Sequence, residues 1–441
     1  MAAPVDLTAA PLRRRGAGLL WRTSGTVLAF MPVAMAIAHR SSPLVLGVAA
    51  FLALAAVAAE RGWAGLRADL LTGLRTPLGR SALTFLAWSV ISLLWSEFRG
   101  VSLAALLEFW FPVAGALLLS VTLPSRLPRW GVWVLAAALA LACAAILLEL
   151  QTGLALRRTL GMRSHSFIFN RPVLTILVGL VPVLVALRGQ GPLGWAAGAV
   201  LTALALATAE QSESGAAIFG VAAAGATALG ALLAPRLVVR IAGVAVIAAL
   251  AIAPLAGPIV DRLIPPAVHE RLSDSHSRDR IDIWTSFGAA ILHRPWLGAG
   301  FGTSPHMGES VVAGEVAPER RALLAVGHPH NAAVQIWTEL GAVGAVLGAI
   351  VILSSLRSLS RFPRRDLAPM LGLMAGVEAV SLVGHGAWQG WWPAAIGAAV
   401  VWFRFAQNAR KPGDPLRAAD LTDLRSSHLA EPPQTRPEPM P

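Results

Sequence analysis

Residues 129–150 read RWGVWVLAAALALACAAILLEL, with no charged side chain from Gly131 to Leu148. As a helix these residues reach about 33 Å at ~1.5 Å each, enough to span the ~30 Å hydrocarbon core of a bilayer. Similar apolar stretches stand at 25–39, 43–59, 79–96, 102–122, 171–187, 192–209, 213–234, 238–257, 330–356, 367–384 and 388–406. The whole chain of 441 residues is 56% hydrophobic and 14% charged, against roughly 25% charged in a soluble domain. Most of it therefore needs lipid as its solvent. Backbone polar groups in lipid must pair within the segment, so the stretches are helices.

The expected fold is all-α, a polytopic membrane bundle of about twelve transmembrane helices. The expected divisions are an N-terminal cytoplasmic segment at 1–24, helices 1–9 at 25–257, a large outside loop at 258–329, helices 10–12 at 330–406, and a disordered cytoplasmic tail at 407–441. The tail is rich in Pro, Arg, Glu and Ser and poor in apolar residues. The N-terminus, with Arg13, Arg14 and Arg15 ahead of a span containing Pro32, lacks a clean cleavage site and reads as the basic flank of the first helix. Cys143 stands alone, so no intrachain disulfide is possible.

Arginine placement sets the orientation. With the N-terminus inside, the inside loops carry Arg61, Arg67, Arg75, Arg80, Arg126, Arg129, Arg188, Arg236, Arg240, Arg357, Arg361, Arg364, Arg365, Arg404 and Arg410. The formal charge of +12 thus reflects topology, and no nucleic-acid partner is expected. Two outside loops depart from the rule. One holds Arg157, Arg158, Arg163 and Arg171; the other, 258–329, holds Arg262, Arg271, Arg278, Arg280, Arg294, Arg320 and Arg321. Guanidinium groups kept on that side suit phosphate recognition, although a loop of that length also needs charges for solubility.

Within the large loop, Ile281, Trp284, Phe287 and Ile291 repeat at helical spacing. This predicts a short amphipathic helix with Trp284 and Phe287 in the membrane interface and Arg280 turned to water or ligand. Gly298-Ala299-Gly300-Phe301-Gly302 has neither strand before it nor helix after it, and reads as a tight turn, not a nucleotide loop. His328-Pro329-His330-Asn331 then leads into the tenth helix, where Asn331, Gln335, Thr338 and Glu339 form one polar stripe. Polar groups on a membrane helix face the protein interior or a wet cavity. Gly341, Gly344 and Gly348 are expected to permit close helix packing. His328 and His330, with His306 and Glu309 upstream, lack a third ligand at a recognisable spacing, so no metal is expected.

The string HPHNAAVQIWTELGAVGA, with His330, Asn331, Gly341 and Gly344, resembles the signature of the O-antigen ligase family. SRDRIDIWTSFGAAILHRPWLGAGFG resembles the family segment that precedes it. Phe169-Asn170-Arg171-Pro172 and Trp388-Gln389-Gly390-Trp391-Trp392 also fit. Where family members often carry Ser-Arg at the start of helix 8, this chain has Ser212-Glu213-Ser214-Gly215, and Arg171 is the substitute cation.

The resemblance implies a bacterial inner-membrane enzyme of polysaccharide or lipopolysaccharide synthesis, without cofactor, its site and large loop periplasmic. It implies transfer of an undecaprenyl-diphosphate-linked glycan to lipid A–core or to another glycan, within membrane lipid. His330 and Arg280 are the implied catalytic pair. Arg171, Arg280, Arg163 and Arg278 are candidates for the donor diphosphate, and Asn331, Gln335, Glu339 and His328 for support. Base-assisted single displacement inverts the anomeric carbon. The tryptophans at 284, 296, 337, 388, 391 and 392 suit sugar stacking or the membrane interface. The alternatives are a Wzy-type polymerase, which shares the donor chemistry, and a twelve-helix secondary transporter. Against the transporter, the long loop does not divide two six-helix halves.

Overall fold

The computed structural model of the chain describes residues 9–60, 62–265 and 277–409, and no strand occurs among them. The first helices are α1 (Ala9–Ala29), α2 (Met31–Ile37), α3 (Ser42–Glu60), α4 (Gly62–Leu74), α5 (Pro77–Ile91), α6 (Arg99–Thr122) and α7 (Gly131–Gln151). Next come α8 (Ala155–Thr159), α9 (Asn170–Leu187), α10 (Gly191–Gln211), α11 (Gly215–Leu233), α12 (Pro235–Ile252) and α13 (Ala256–Leu263). The last are α14 (Ser277–His293), α15 (Val311–Glu315), α16 (Pro318–Arg321), α17 (Ala332–Leu359), α18 (Arg364–Val383) and α19 (Trp391–Asn408).

Each of the twelve expected stretches is mainly helical. Among the described residues, nine stretches are long and apolar enough to cross a membrane, or ten with α1 and α2, bent by 47°, taken as one. Ser166–Gln211, one of the nine, is the pair α9 and α10 joined by a turn at 188–190. The chain is a polytopic helical membrane protein.

Three departures from expectation have physical causes. The first helix starts at Ala9 rather than after a segment ending at 24, and breaks at Phe30, where Pro32 opens the next helix. An expected inside loop contains α4, which buries Leu66 and leaves Trp63 exposed. The third concerns the tenth span, expected unbroken at 330–356.

That span, α17, is interrupted at Gly341, whose backbone lies at φ 64, ψ −164, a region open to glycine alone. The residues around Gly298 fill the break. Ala299 and Gly300 donate their N–H groups to the carbonyls of Thr338 and Glu339 at 2.9 and 2.8 Å, and Ala342 donates to the Pro295 carbonyl at 2.8 Å. Trp88 Nε1 donates to the Leu340 carbonyl at 3.2 Å. A Cβ on Gly341 would strike the backbone of Trp296, and one on Gly298 the backbone of Glu339. Irregular backbone among membrane helices persists where protein supplies the missing partners. The glycine-rich turn supplies them. Gly341 therefore breaks the helix rather than easing helix packing.

The segment between α13 and α17 has its own core. Ile281, Trp284, Phe287 and Ile291 are buried as the helical period requires. Phe287, fully buried, packs with Met307, Val312, Leu324 and Val334. Each such side chain contributes roughly 1.5–3 kcal/mol when removed from water. Trp284 and Phe287 thus face protein and not the membrane interface. Val311 N donates to Glu97 Oε2 at 2.9 Å and Phe301 N to Ser92 Oγ at 3.0 Å, so this segment sits on the loop between α5 and α6. Glu270, Arg271, Asp274 and the tail from 410 lie outside the described residues.

Candidate functional site

The turn before α17 is built to hold one histidine in an unusual conformation. Asn331 Oδ1 accepts from Val334 N at 3.1 Å and caps the helix. The Pro329 carbonyl accepts from Trp284 Nε1 at 2.9 Å. Between them His330 takes φ 52, a left-handed conformation that costs a non-glycine residue about 1–3 kcal/mol and tends to cluster at functional sites. Its backbone N–H donates to His328 Nδ1 at 3.3 Å. Its own Nδ1 lies 3.0 Å from the Gly384 carbonyl. A carbonyl only accepts, so Nδ1 carries the proton and Nε2 keeps the lone pair.

Burial holds His330 below the ordinary histidine value; the Gly384 bond opposes this, and the positive Arg280 reinforces it. The His328 ring lies 4.1 Å away. Burial, His330 and Arg171 press His328 down to about 3. Both rings are neutral at pH 7.

Arg280, one turn before Trp284 on α14, is half-buried. Among the described residues it has neither ion pair nor hydrogen bond, and burial lowers its proton affinity below the ordinary arginine value. Arg171, in the first turn of α9, donates to Gln389 Oε1 at 3.0 Å and lies 5.6 Å from the centroid of the Trp391 ring. Gln389 Oε1 also accepts from Trp391 Nε1 at 2.9 Å, and Gln389 Nε2 lies 3.4 Å from His328 Nε2. His328, His330, Arg280 and Arg171 are thus brought together.

Arg163 and Arg278 are exposed. Arg163 belongs to a basic rim with Arg40 and Arg157 around His39, which burial, then Arg171, Arg40, Arg157 and Arg163 lower. Arg157 is not free for phosphate. Its Nη2 donates to the Ala36 and Ile37 carbonyls at 2.6 and 3.1 Å, at the end of α2, where a cation complements the helix dipole.

Glu339 does not bond His330. Fully buried, it accepts from Gly302 N, from Ser304 Oγ at 2.5 Å, from Gln335 Nε2 at 2.9 Å and from Trp388 Nε1 at 2.5 Å. It fastens the glycine-rich turn and the α18–α19 loop to α17. Gln335 Oε1 accepts from Ala387 N at 2.8 Å in that same loop. Glu213 accepts from Ser166 Oγ at 2.6 Å. His306 pairs with Glu309 at 3.2 Å, away from the other histidines. Trp284, Trp388, Trp391 and Trp392 are buried, whereas Trp296 is exposed.

The loop 384–390 is the element that sequence reading undervalued. It holds His330 through Gly384, Glu339 through Trp388 and Arg171 through Gln389, while Gly390 N donates to Glu108 Oε1 at 3.1 Å. It also contributes His385, which went unnoticed. The His385 ring stands edge-on to Trp391, centroids 4.8 Å apart. The one sequence signal for it is a histidine between two glycines where a membrane helix ends.

Beneath the site an apolar cavity of about 350 Å³ runs between α9, α10, α11 and α18. Leu174 and Trp392 line it near the Arg171 end of α9, and Arg188 and Pro369 line the opposite end. A neutral imidazole with a free Nε2, two guanidiniums that form no ion pair among the described residues and a lipid-deep cavity can together deprotonate a hydroxyl and hold an anion on an apolar tail.

Residues 197–349 match the family model Wzy_C, O-antigen ligase. The match includes Arg280, His330 and the break at Gly341; Arg171 and the 384–390 loop lie beyond it. No curated protein matches the chain. The resemblance read from the histidine motif is borne out over this segment, and it supports glycan transfer of the O-antigen ligase or polymerase kind.

Proposed function

We propose, with that O-antigen ligase match as premise, that the chain transfers a glycan from a polyprenyl diphosphate carrier to an acceptor hydroxyl. The reaction takes place at the periplasmic face of the inner membrane. The observation that carries this reading is the His330 Nδ1 bond to Gly384, which leaves the lone pair on Nε2 of a ring within the electrostatic reach of Arg280, a cation without an ion pair among the described residues. The acceptor oxygen attacks the anomeric carbon while its proton passes to His330 Nε2. The bond from that carbon to the phosphate oxygen breaks, and its electron pair leaves with the diphosphate. Arg280 and Arg171 stabilise the charge that grows there. Single displacement inverts the anomeric centre. The cavity between α9, α10, α11 and α18 takes the polyprenyl tail, since it reaches Leu174 and Trp392 at the Arg171 end of α9.

The test is a deletion strain complemented with wild type or His330→Ala, its surface and carrier-linked glycans resolved by gel. Ligation predicts that lipid A–core loses all polymer in the variant while carrier-linked polymer accumulates. Only single repeat units, attached or carrier-linked, would instead identify a polymerase. No change in either would refute glycan transfer.

A further inference from the structure

We propose that His385 is a third ligand of the donor diphosphate, its Nε2 donating a hydrogen bond to a phosphate oxygen between Arg171 and Arg280. This rests on the glycan-transfer reading above. Among the described residues, His385 Nε2 is shut off from solvent and has no hydrogen-bond partner. Buried polar atoms are nearly always paired, so an orphan marks a place where a further group binds. Its position is held from both sides. The preceding residue, Gly384, takes the His330 Nδ1 proton, and the Trp391 ring against which it stands also faces Arg171.

The charged and titratable groups facing His385 are Arg171 from α9, Arg280 from α14, and His328 and His330 from the turn before α17. No carboxylate acts on His385 among the described residues; Glu108, which accepts from Gly390 N, acts on Arg171 instead. Such a set repels a cation, gives a neutral sugar hydroxyl no special advantage and suits an anion of two charges. Burial, then these four groups, hold His385 down to about 3. A diphosphate placed among them opposes the last four causes. Burial, the largest cause, stays; the imidazole still takes up a proton more readily in the complex than in the free protein, and binding weakens as pH rises, by at most about tenfold per pH unit.

The measurement is the affinity of purified wild type for farnesyl-diphospho-N-acetylglucosamine, a diester whose own charge is constant near neutrality, from mildly acidic to mildly alkaline pH. The expected result is an affinity that falls with rising pH. His385→Gln should bind about tenfold more weakly at acidic pH and lose the slope, while His306→Gln, on the exposed surface, matches wild type. A flat wild-type profile overturns the proposal without recourse to any variant. So does a His385→Gln or His385→Asn profile that superimposes on wild type while Arg280→Gln still weakens binding; glycan transfer then stands and only the third ligand falls. Failure of wild type to bind the probe at all would remove the functional reading itself.

Discussion

Trp284 donates its indole N–H to the Pro329 carbonyl at 2.9 Å, and this bond ties the helix of Arg280 to the turn of His330. Base and cation come from segments some fifty residues apart, and their relative position depends on this contact. Trp284→Phe keeps an aromatic, if smaller, side chain and leaves the carbonyl without its partner, a loss of about 1–3 kcal/mol for a buried group. The expected outcome is a roughly tenfold lower kcat, with little change in KM for the donor. Wild-type kinetics would show that the bond does not position the site.

His330 should titrate below the ordinary 6.5 in the free protein, because burial and Arg280 both disfavour its charged form. It is then neutral, and competent as a base, at pH 7. Histidine NMR of labelled protein checks this. In Arg280→Gln one lowering cause is gone, so the midpoint should move up. A midpoint above 6.5 in wild type, or a full rate in His330→Gln, would sink the assignment.

Arg280→Lys keeps the charge and loses the fork. The rate should fall on the order of 100-fold while thermal unfolding barely shifts, since among the described residues Arg280 has no hydrogen bond or ion pair to lose. Arg157→Lys should behave in the opposite way, costing stability through its bonds to α2 and sparing kcat.

Much of this was legible in the sequence, and the gaps have causes. The helices declared themselves because lipid demands long uncharged runs. His330 and Arg280 were legible as polar residues where the chain enters or skirts the membrane. Arg157 misled because an arginine that caps a helix and one that binds phosphate share the same place in the topology. Trp284 and Phe287 misled because an apolar period states that a face is buried without naming what buries it. The break at Gly341 was hidden since a glycine read on its own suits both packing and rupture. Only the distant Trp296 decides between them. His385 belongs to no period at all.

Gly341→Ala tests the break. The Cβ meets the Trp296 backbone, and the conformation excludes other residues, so destabilisation of about 3 kcal/mol or more is expected. Thermal unfolding in detergent measures it. A variant as stable as wild type would mean that α17 can run straight.

Val181 lines the cavity, and Val181→Trp should fill part of it. KM for a donor of full polyprenyl length should rise about tenfold, more than KM for a farnesyl donor. Equal effects on both would place the tail elsewhere.

The interruption of α17 also bears on how the protein meets bilayers of different thickness. A continuous helix transmits tilt along its whole length, and mismatch between helix and membrane is relieved largely by tilting. Here the part below Gly341 packs against its neighbouring helices, with Ala345 and Leu356 buried among them, and tilts with them. The nine residues above it are anchored laterally, through Glu339 and Gln335, to the glycine-rich turn and to the 384–390 loop. The break acts as a mechanical joint, and the chemistry rides on the side of it that the membrane does not steer.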